Sequence, residues 1–238
     1  MLTRGNHKLG THQIWSFSLP SGTTETCPGM TQTCGQHCYA VAMERYRPAA
    51  VAKYRRNLAI SRRRDFATRL RAFLIAHAIR VVRIHVGGDF YSPKYAKLWL
   101  RIIRRSPRTH FFFYSRAWRI PAIKTVLDCM ADLRNTRIWY SLDRDTGVPT
   151  EIPARVRLAW LMGDATDLPP PGTDLVFRVR RLRRLPFPSG MPTVCPTEDG
   201  QLRTVRVTCE RCGFCWRPLA LTRTPLPVIE SVPPRRCP

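Results

Sequence analysis

An α/β chain built on a parallel sheet is predicted by three features of the sequence. Strand-like and helix-like stretches alternate about six times. The strand-like stretches are too apolar to leave one face wet, which is the mark of a sheet covered on both sides. The hydrophobic fraction, 44% of 238 residues, is enough for a sizeable core. Either a doubly wound sheet or an incomplete barrel satisfies this pattern.

Residues 13–19 alternate well enough for a first strand, through Ile14, Trp15, Phe17 and Leu19. From 48 to 78 the period turns helical, with Leu58, Phe66, Leu70, Phe73 and His77 on one face. Residues 81–86 form the next strand and end at Gly87-Gly88-Asp89. Ser92-Pro93 starts a helix running to 103, because serine caps and proline suits the first turn. Residues 111–116 read as a strand, 121–133 as a helix and 138–143 as a strand. A short, proline-interrupted helix is predicted near 150–156, then strands at 158–164 and 175–179. No internal repeat stands out beyond this alternation. From about Arg181 the composition shifts, with Pro186, Pro188, Pro192 and Pro196. The expected division is a main body over 1–185 and a cysteine-rich region over 186–238, held together by a metal centre.

The formal charge is +24, from 40 basic and 16 acidic residues. Five of the basic residues are lysines, so 40 − 5 = 35 are arginines. GC-rich coding favours arginine over lysine but does not explain the shortage of acids. Such a surplus repels itself unless a polyanion or anionic cofactors offset it, which points to nucleic acid. Arg55, Arg56, Arg62, Arg63, Arg64 and Arg69 are the candidate phosphate contacts, on the faces of the 48–78 helix away from the core; the alternative is a solvated face. The longest apolar runs, at 73–79 and 111–114, fall well short of the roughly 20 residues that span a bilayer. No signal-peptide pattern opens the chain, so the expected location is the cytoplasm, with no membrane partner.

In a reducing compartment, clustered cysteines suggest metal ligands before disulfides. Cys27, Cys34 and Cys38 form one group, and Cys195, Cys209, Cys212 and Cys215 another. Cys129 and Cys237 read as ordinary thiols. A C-x2-C-x2-C run with a remote Cys-Pro is how ferredoxin-type chains wrap a [4Fe–4S] cluster, though four thiolates also complete a zinc site. Three cysteines at the end of the first strand leave one position open on a cluster, or on zinc with His37 as a fourth ligand. The open group is therefore the catalytic candidate, and the closed one is suited to structure or electron transfer.

In a parallel α/β sheet, ligands bind beyond the carboxyl ends of the strands. Those ends carry the first cysteine group, Gly87-Gly88-Asp89, Ser115-Arg116, Ser141 with Asp143, and Gly163-Asp164. Taken singly, each has a plain structural reading: a turn for the glycines, a helix cap or an arginine salt bridge for Asp143 and Asp164. Their convergence on one face makes Gly87, Gly88, Asp89, Ser115, Arg116, Ser141 and Asp143 candidate cofactor contacts.

The three-cysteine loop, the helix after it and the strand ending in Gly-Gly-acid resemble the radical S-adenosylmethionine superfamily. The segments Ser18-Leu-Pro-Ser-Gly, Cys27-Pro-Gly, Cys38-Tyr-Ala, His85-Val-Gly-Gly-Asp-Phe-Tyr and Cys209-x-x-Cys-Gly-Phe-Cys-Trp more closely resemble the phage gene product eighty-eight family. The first resemblance implies a partial (βα)6 barrel and a [4Fe–4S] cluster on Cys27, Cys34 and Cys38. It also implies S-adenosylmethionine on the open iron, its amino group contacted at Gly87, Gly88 and Asp89. The loop here is C-x6-C-x3-C in place of the superfamily's C-x3-C-x2-C, and the acid is Asp where Glu is commoner.

Two functions of different classes follow. One is a radical S-adenosylmethionine-like enzyme with one or two [4Fe–4S] clusters, acting on nucleic acid or a nucleic-acid-bound target and needing an electron donor. In it the cluster reduces the sulfonium and a 5′-deoxyadenosyl radical abstracts hydrogen. The other is a noncatalytic nucleic-acid-binding protein stapled by zinc or iron–sulfur centres. A redox or iron sensor is a third, weaker idea.

Overall fold

The computed structural model describes residues 1–186, 190–197, 207–217 and 237. A seven-stranded sheet runs through it in sequence order: β1 Thr3–Asn6, β2 Gly10–Phe17, β3 Val81–Ile84, β4 His110–Ser115, β5 Thr136–Leu142, β6 Val156–Met162 and β7 Leu175–Arg178. β1 pairs antiparallel with β2, and every later pair is parallel. The sheet is not closed; β1 and β7 are its edges. The mixed α/β class read from the sequence is therefore present, with a sheet that is mostly parallel. When successive parallel strands are neighbours, right-handed crossovers place their helices on one face.

Strand residues alternate between two interiors. Val82, Ile84, Phe111, Phe113, Ile138, Tyr140, Leu158, Trp160 and Val176 face the large core shared with the helices. There Phe17, Phe66, Tyr95 and Trp99 pack ring against ring at centroid distances of 5.5–6.3 Å. The opposite face carries Ile14, Val81 and Phe112, then Trp139, Ala159 and Leu175. Cys195, Cys209, Cys215, Phe214 and Trp216 of the C-terminal region cover it.

The helices are α1 Gln32–Gln36, α2 Tyr39–Glu44, α3 Pro48–Ser61, α4 Phe66–Ala76, α5 Pro93–Arg104, α6 Pro121–Ala131 and α7 Cys209–Cys212. α5 starts as its sequence predicts: Ser92 caps it, its side chain accepting from the Tyr95 amide at 3.2 Å, with Pro93 in the first turn. The helix expected over 48–78 is two, α3 and α4, broken at Arg62–Asp65. Ser61 donates to the Leu58 carbonyl at 2.8 Å, and Asp65 takes Arg63 at 2.9 Å, so local side-chain bonds compete with the helical ladder there. No helix forms near 150–156; Pro149 and Pro153 lack the amide a helix needs and disfavour helical backbone before them. The crossover from β6 to β7 is likewise free of helix, and it carries Pro169, Pro170 and Pro171.

Cys129 and Cys237 are joined by a disulfide across 108 residues, with Cα atoms 5.7 Å apart. This corrects the reading of both as ordinary thiols. Of the cysteine-rich region, 187–189 (with Pro188), 198–206, 218–236 and 238 lie outside the described residues. Among the described residues, no helix is long and apolar enough to cross a membrane.

Candidate functional site

Beyond the carboxyl ends of the parallel strands lies a cavity of about 490 Å³. Cys27, Cys34 and Cys38 line it together with Gly87, Gly88, Asp89, Arg116 and Ser141. With His37, nine residues singled out on the sequence thus share one chamber, which also takes in Lys8, Tyr39, Arg83, His85, Tyr114 and Phe177.

The cysteine loop is built by short side chains. The Cys27 amide donates to the Thr23 carbonyl at 2.8 Å, and the Thr26 hydroxyl to that of Pro20 at 2.6 Å. Thr31 caps α1, accepting from the Cys34 amide at 3.0 Å and donating to Asp143 at 2.7 Å. Cys38 stands at the N-terminus of α2, where Tyr39 donates to the Val86 carbonyl at 2.6 Å and fixes the loop to the end of β3.

The diglycine serves a close approach within the chain. A Cβ on Gly87 would strike Ser21 Oγ, and one on Gly88, at φ +77°, would meet Leu19. The Leu19 amide donates to the Gly87 carbonyl at 2.9 Å, and the Gly88 amide to Ser21 Oγ at 3.1 Å. Asp89 is saturated in the same way. One carboxylate oxygen accepts from the Phe90 amide and Ser115 Oγ, both at 2.7 Å. The other accepts from the amides of Arg116 at 2.8 Å and Ala117 at 3.1 Å. Burial raises the Asp89 carboxyl, opposed by those donors.

Ser115 and Asp143 sit one layer behind the wall. Asp143, fully buried, takes the Arg116 guanidinium at 2.9 Å. That clamp aims Arg116 Nη1 at Cys34 Sγ, 3.2 Å away. Burial raises the Cys34 thiol and Arg116 opposes the rise, while burial takes Cys27 up to about 12. Asp164 is paired with Arg144 at 2.7 Å, the plain reading its position allowed.

Among the described residues, no three of His, Cys, Asp and Glu gather as a single-ion site. One zinc with ~2.3 Å bonds needs sulfurs about 3.8 Å apart. Three thiols line the chamber, and thiolates are the donor type an iron–sulfur cluster takes.

The second cysteine group lies on the inner face of the sheet. Thr208 caps α7, placing Cys209 and Cys212 on one turn, and Gly213, at φ +72°, reverses the chain toward Cys215. The α7 segment is docked on the β1–β2 hairpin: the Cys209 amide donates to the Lys8 carbonyl at 2.9 Å and that of Glu210 to Leu9 at 3.1 Å. One Glu210 carboxylate oxygen accepts from the amides of His12 at 2.8 Å, Gln13 and Ile14 at 3.1 Å. Cys195 is held beside β7 by its amide on the Val176 carbonyl at 3.0 Å. Burial takes Cys215 up to about 12, and the thiols of Cys195, Cys209 and Cys212 add to it.

Arg55, Arg56, Arg62, Arg63, Arg64 and Arg69 are all exposed. Arg62 pairs with Glu25 at 2.6 Å, and Arg63 and Arg69 share Asp65 at 2.9 and 3.1 Å.

Sequence reasoning passed over Lys8, Arg83 and Tyr39. The available signal was Arg83 inside Val81-Val-Arg-Ile, a cation in a strand whose two faces are both buried.

A family model described as Gene product 88 matches residues 1–218. The Gene 88 protein of Mycobacterium phage L5 is 33% identical over 143 residues, 55% of this chain and 57% of that protein. The Gene 88 protein of Mycobacterium phage D29 is 30% identical over 141 residues, with the same shares. The chain therefore spans little more than half the length of these phage relatives. No solved structure matches it.

Proposed function

The chain belongs to the phage Gene product 88 family, and from that premise we propose an iron–sulfur protein of radical S-adenosylmethionine-like activity, acting on nucleic acid or a nucleic-acid-associated substrate. The observation that carries this reading is the chamber itself, which brings Cys27, Cys34 and Cys38 together with Gly87, Gly88, Arg116 and Ser141. The sequence-ordered parallel strands support a partial barrel of that superfamily's type. Cys27, Cys34 and Cys38 would hold the catalytic cluster, and Cys195, Cys209, Cys212 and Cys215 a second one or zinc. When bound, such a cluster supplies an electron to a sulfonium cofactor. The chain's own part is to anchor the loop through Thr31 and to set a positive charge on Cys34 through Arg116. Asp89 holds the turn after β4 rather than offering free acceptors.

That saturation of Asp89 favours the second reading, a noncatalytic metal-stapled protein that binds nucleic acid. Anaerobic purification followed by iron, sulfide and zinc analysis separates the two. About eight irons per chain are expected, and 5′-deoxyadenosine on reduction with S-adenosylmethionine. Two zincs without cleavage would sink the enzyme. Cys34→Ala should abolish cleavage in the first case and only loosen the fold in the second.

A further inference from the structure

The chamber's inner wall is cationic for a reason the cysteine loop does not supply. Arg83 projects from β3 onto the inner face of the sheet, is only 7% exposed, and lines the cavity. Its guanidinium lies 5.4 Å over the Tyr114 ring, and Nη2 donates to Tyr39 Oη at 3.4 Å. Its Nε is buried with no hydrogen-bond partner. A buried guanidinium with an idle donor is costly unless an acceptor reaches it. Lys8 lines the same wall, its ammonium 5.8 Å over Tyr39 and 5.6 Å over Phe177. The carboxylate that shares the cavity, Asp89, has its acceptor positions filled by four donors of the chain.

We propose that Arg83 and Lys8 form an oxyanion subsite that takes a phosphate group of the substrate. Two fixed positive charges match the roughly −1.5 to −2 of a phosphate monoester better than the −1 of a carboxylate. A guanidinium fork with an ammonium is also a recurring phosphate-binding pair. The volume of about 490 Å³ holds a molecule of nucleotide size and excludes a duplex. The phosphate belongs either to a free small molecule or to one nucleotide unit drawn into the chamber. The inference rests on the cavity being the substrate chamber proposed above, but its test needs neither iron nor cofactor cleavage.

The test is calorimetric titration of the anaerobically isolated full chain with inorganic phosphate, adenosine monophosphate and acetate, metal content being measured on each sample. Expected are saturable phosphate binding and acetate binding at least tenfold weaker. Arg83→Gln should weaken phosphate at least tenfold and Arg83→Lys less, while exposed Arg64→Gln changes it less than twofold. Lys8→Gln, with its backbone bonds to α7 intact, gives a second reading if Arg83→Gln fails to fold by circular dichroism. Adenosine monophosphate binding tenfold tighter than phosphate supports a nucleotide unit, and equal binding supports the phosphate alone. Equal affinity for acetate, or phosphate binding indifferent to both Arg83→Gln and Lys8→Gln, overturns the proposal. So does loss of metal from Arg83→Gln with no phosphate binding by the parent, which makes Arg83 a counter-charge to the C-terminal thiolates. Phosphate bound through Arg83 by a protein without iron leaves this subsite standing and removes the enzymatic reading.

Discussion

His85, 3% exposed at the end of β3, donates or accepts one hydrogen bond, with Tyr95 Oη at 2.8 Å, and burial pulls its pKa down to about 3. In the unfolded chain the same imidazole titrates near 6.5. Between those values the unfolded state binds a proton that the folded state refuses, so stability falls as pH drops from about 6.5 toward 3. The limiting slope is about 1.4 kcal/mol per pH unit for one such group. Urea midpoints measured from pH 7 to 4 should decline, and His85→Phe, which keeps an aromatic ring in the site, should flatten the decline. A parallel decline in both proteins would place the acid sensitivity elsewhere. A second residue-scale expectation concerns Arg116. Replacing it by Met leaves the fully buried Asp143 without its cation, and breaking such a pair costs roughly 3–5 kcal/mol. Chemical denaturation of Arg116→Met should show a loss of that size, with Arg116→Lys intermediate. At this scale the sequence picked out residues that share the chamber but not their depth. Gly87, Gly88 and Asp89 stand where strand-end logic puts them, yet whether a carboxylate faces a ligand or three amides and a hydroxyl of its own chain depends on how β4 turns after Ser115. No spacing along the chain encodes that.

Among the elements, the parallel strands and α5 were legible because apolar runs and a Ser-Pro start are local signals. β1 was not: Thr3-Arg-Gly-Asn has no alternation, and it becomes a strand only because Asn6 accepts from the amides of Lys8 at 2.9 Å and Leu9 at 2.7 Å and turns the chain back. The absent helix near 150–156 has the opposite lesson. Pro149 and Pro153 outweighed the short helix expected there. The α7 segment is the element whose position matters most for the second cysteine group, and four residues cannot hold themselves in a helix. Glu210 supplies the anchor, so Glu210→Ala removes three charge-assisted bonds to β2. A loss of roughly 2–3 kcal/mol is expected, with faster amide exchange at His12, Gln13 and Ile14. Glu210→Gln, retaining one acceptor oxygen, should lose less. Unchanged exchange at those three amides in Glu210→Ala would show that α7 is held by its backbone bonds to Lys8 and Leu9 alone.

Over the whole molecule, the +24 charge divides unequally between tasks. Arg83 and Arg116 are interior and belong to the chamber, which composition could not reveal, since a charge count has no inside or outside. On the α3–α4 surface the six candidate arginines also divide. Arg62, Arg63 and Arg69 have carboxylate partners in Glu25 and Asp65, whereas no ion pair holds Arg55, Arg56 or Arg64 among the described residues. A polyanion must displace an existing partner to use the first three and nothing to use the others. If this face binds nucleic acid, each phosphate neutralised on a duplex contributes about −0.9 to the slope of log affinity against log salt. The triple variant Arg55→Gln, Arg56→Gln, Arg64→Gln should therefore make that slope shallower by about 2.7. The matching variant of Arg62, Arg63 and Arg69 should change it by less, because Glu25 and Asp65 already neutralise part of that charge in the parent. Equal slopes for the parent and the first triple variant, measured from 50 to 200 mM salt on one DNA duplex, would remove this face from nucleic-acid binding. The arginines there would then be a solvated surface, and the chamber alone would account for any affinity toward nucleotides.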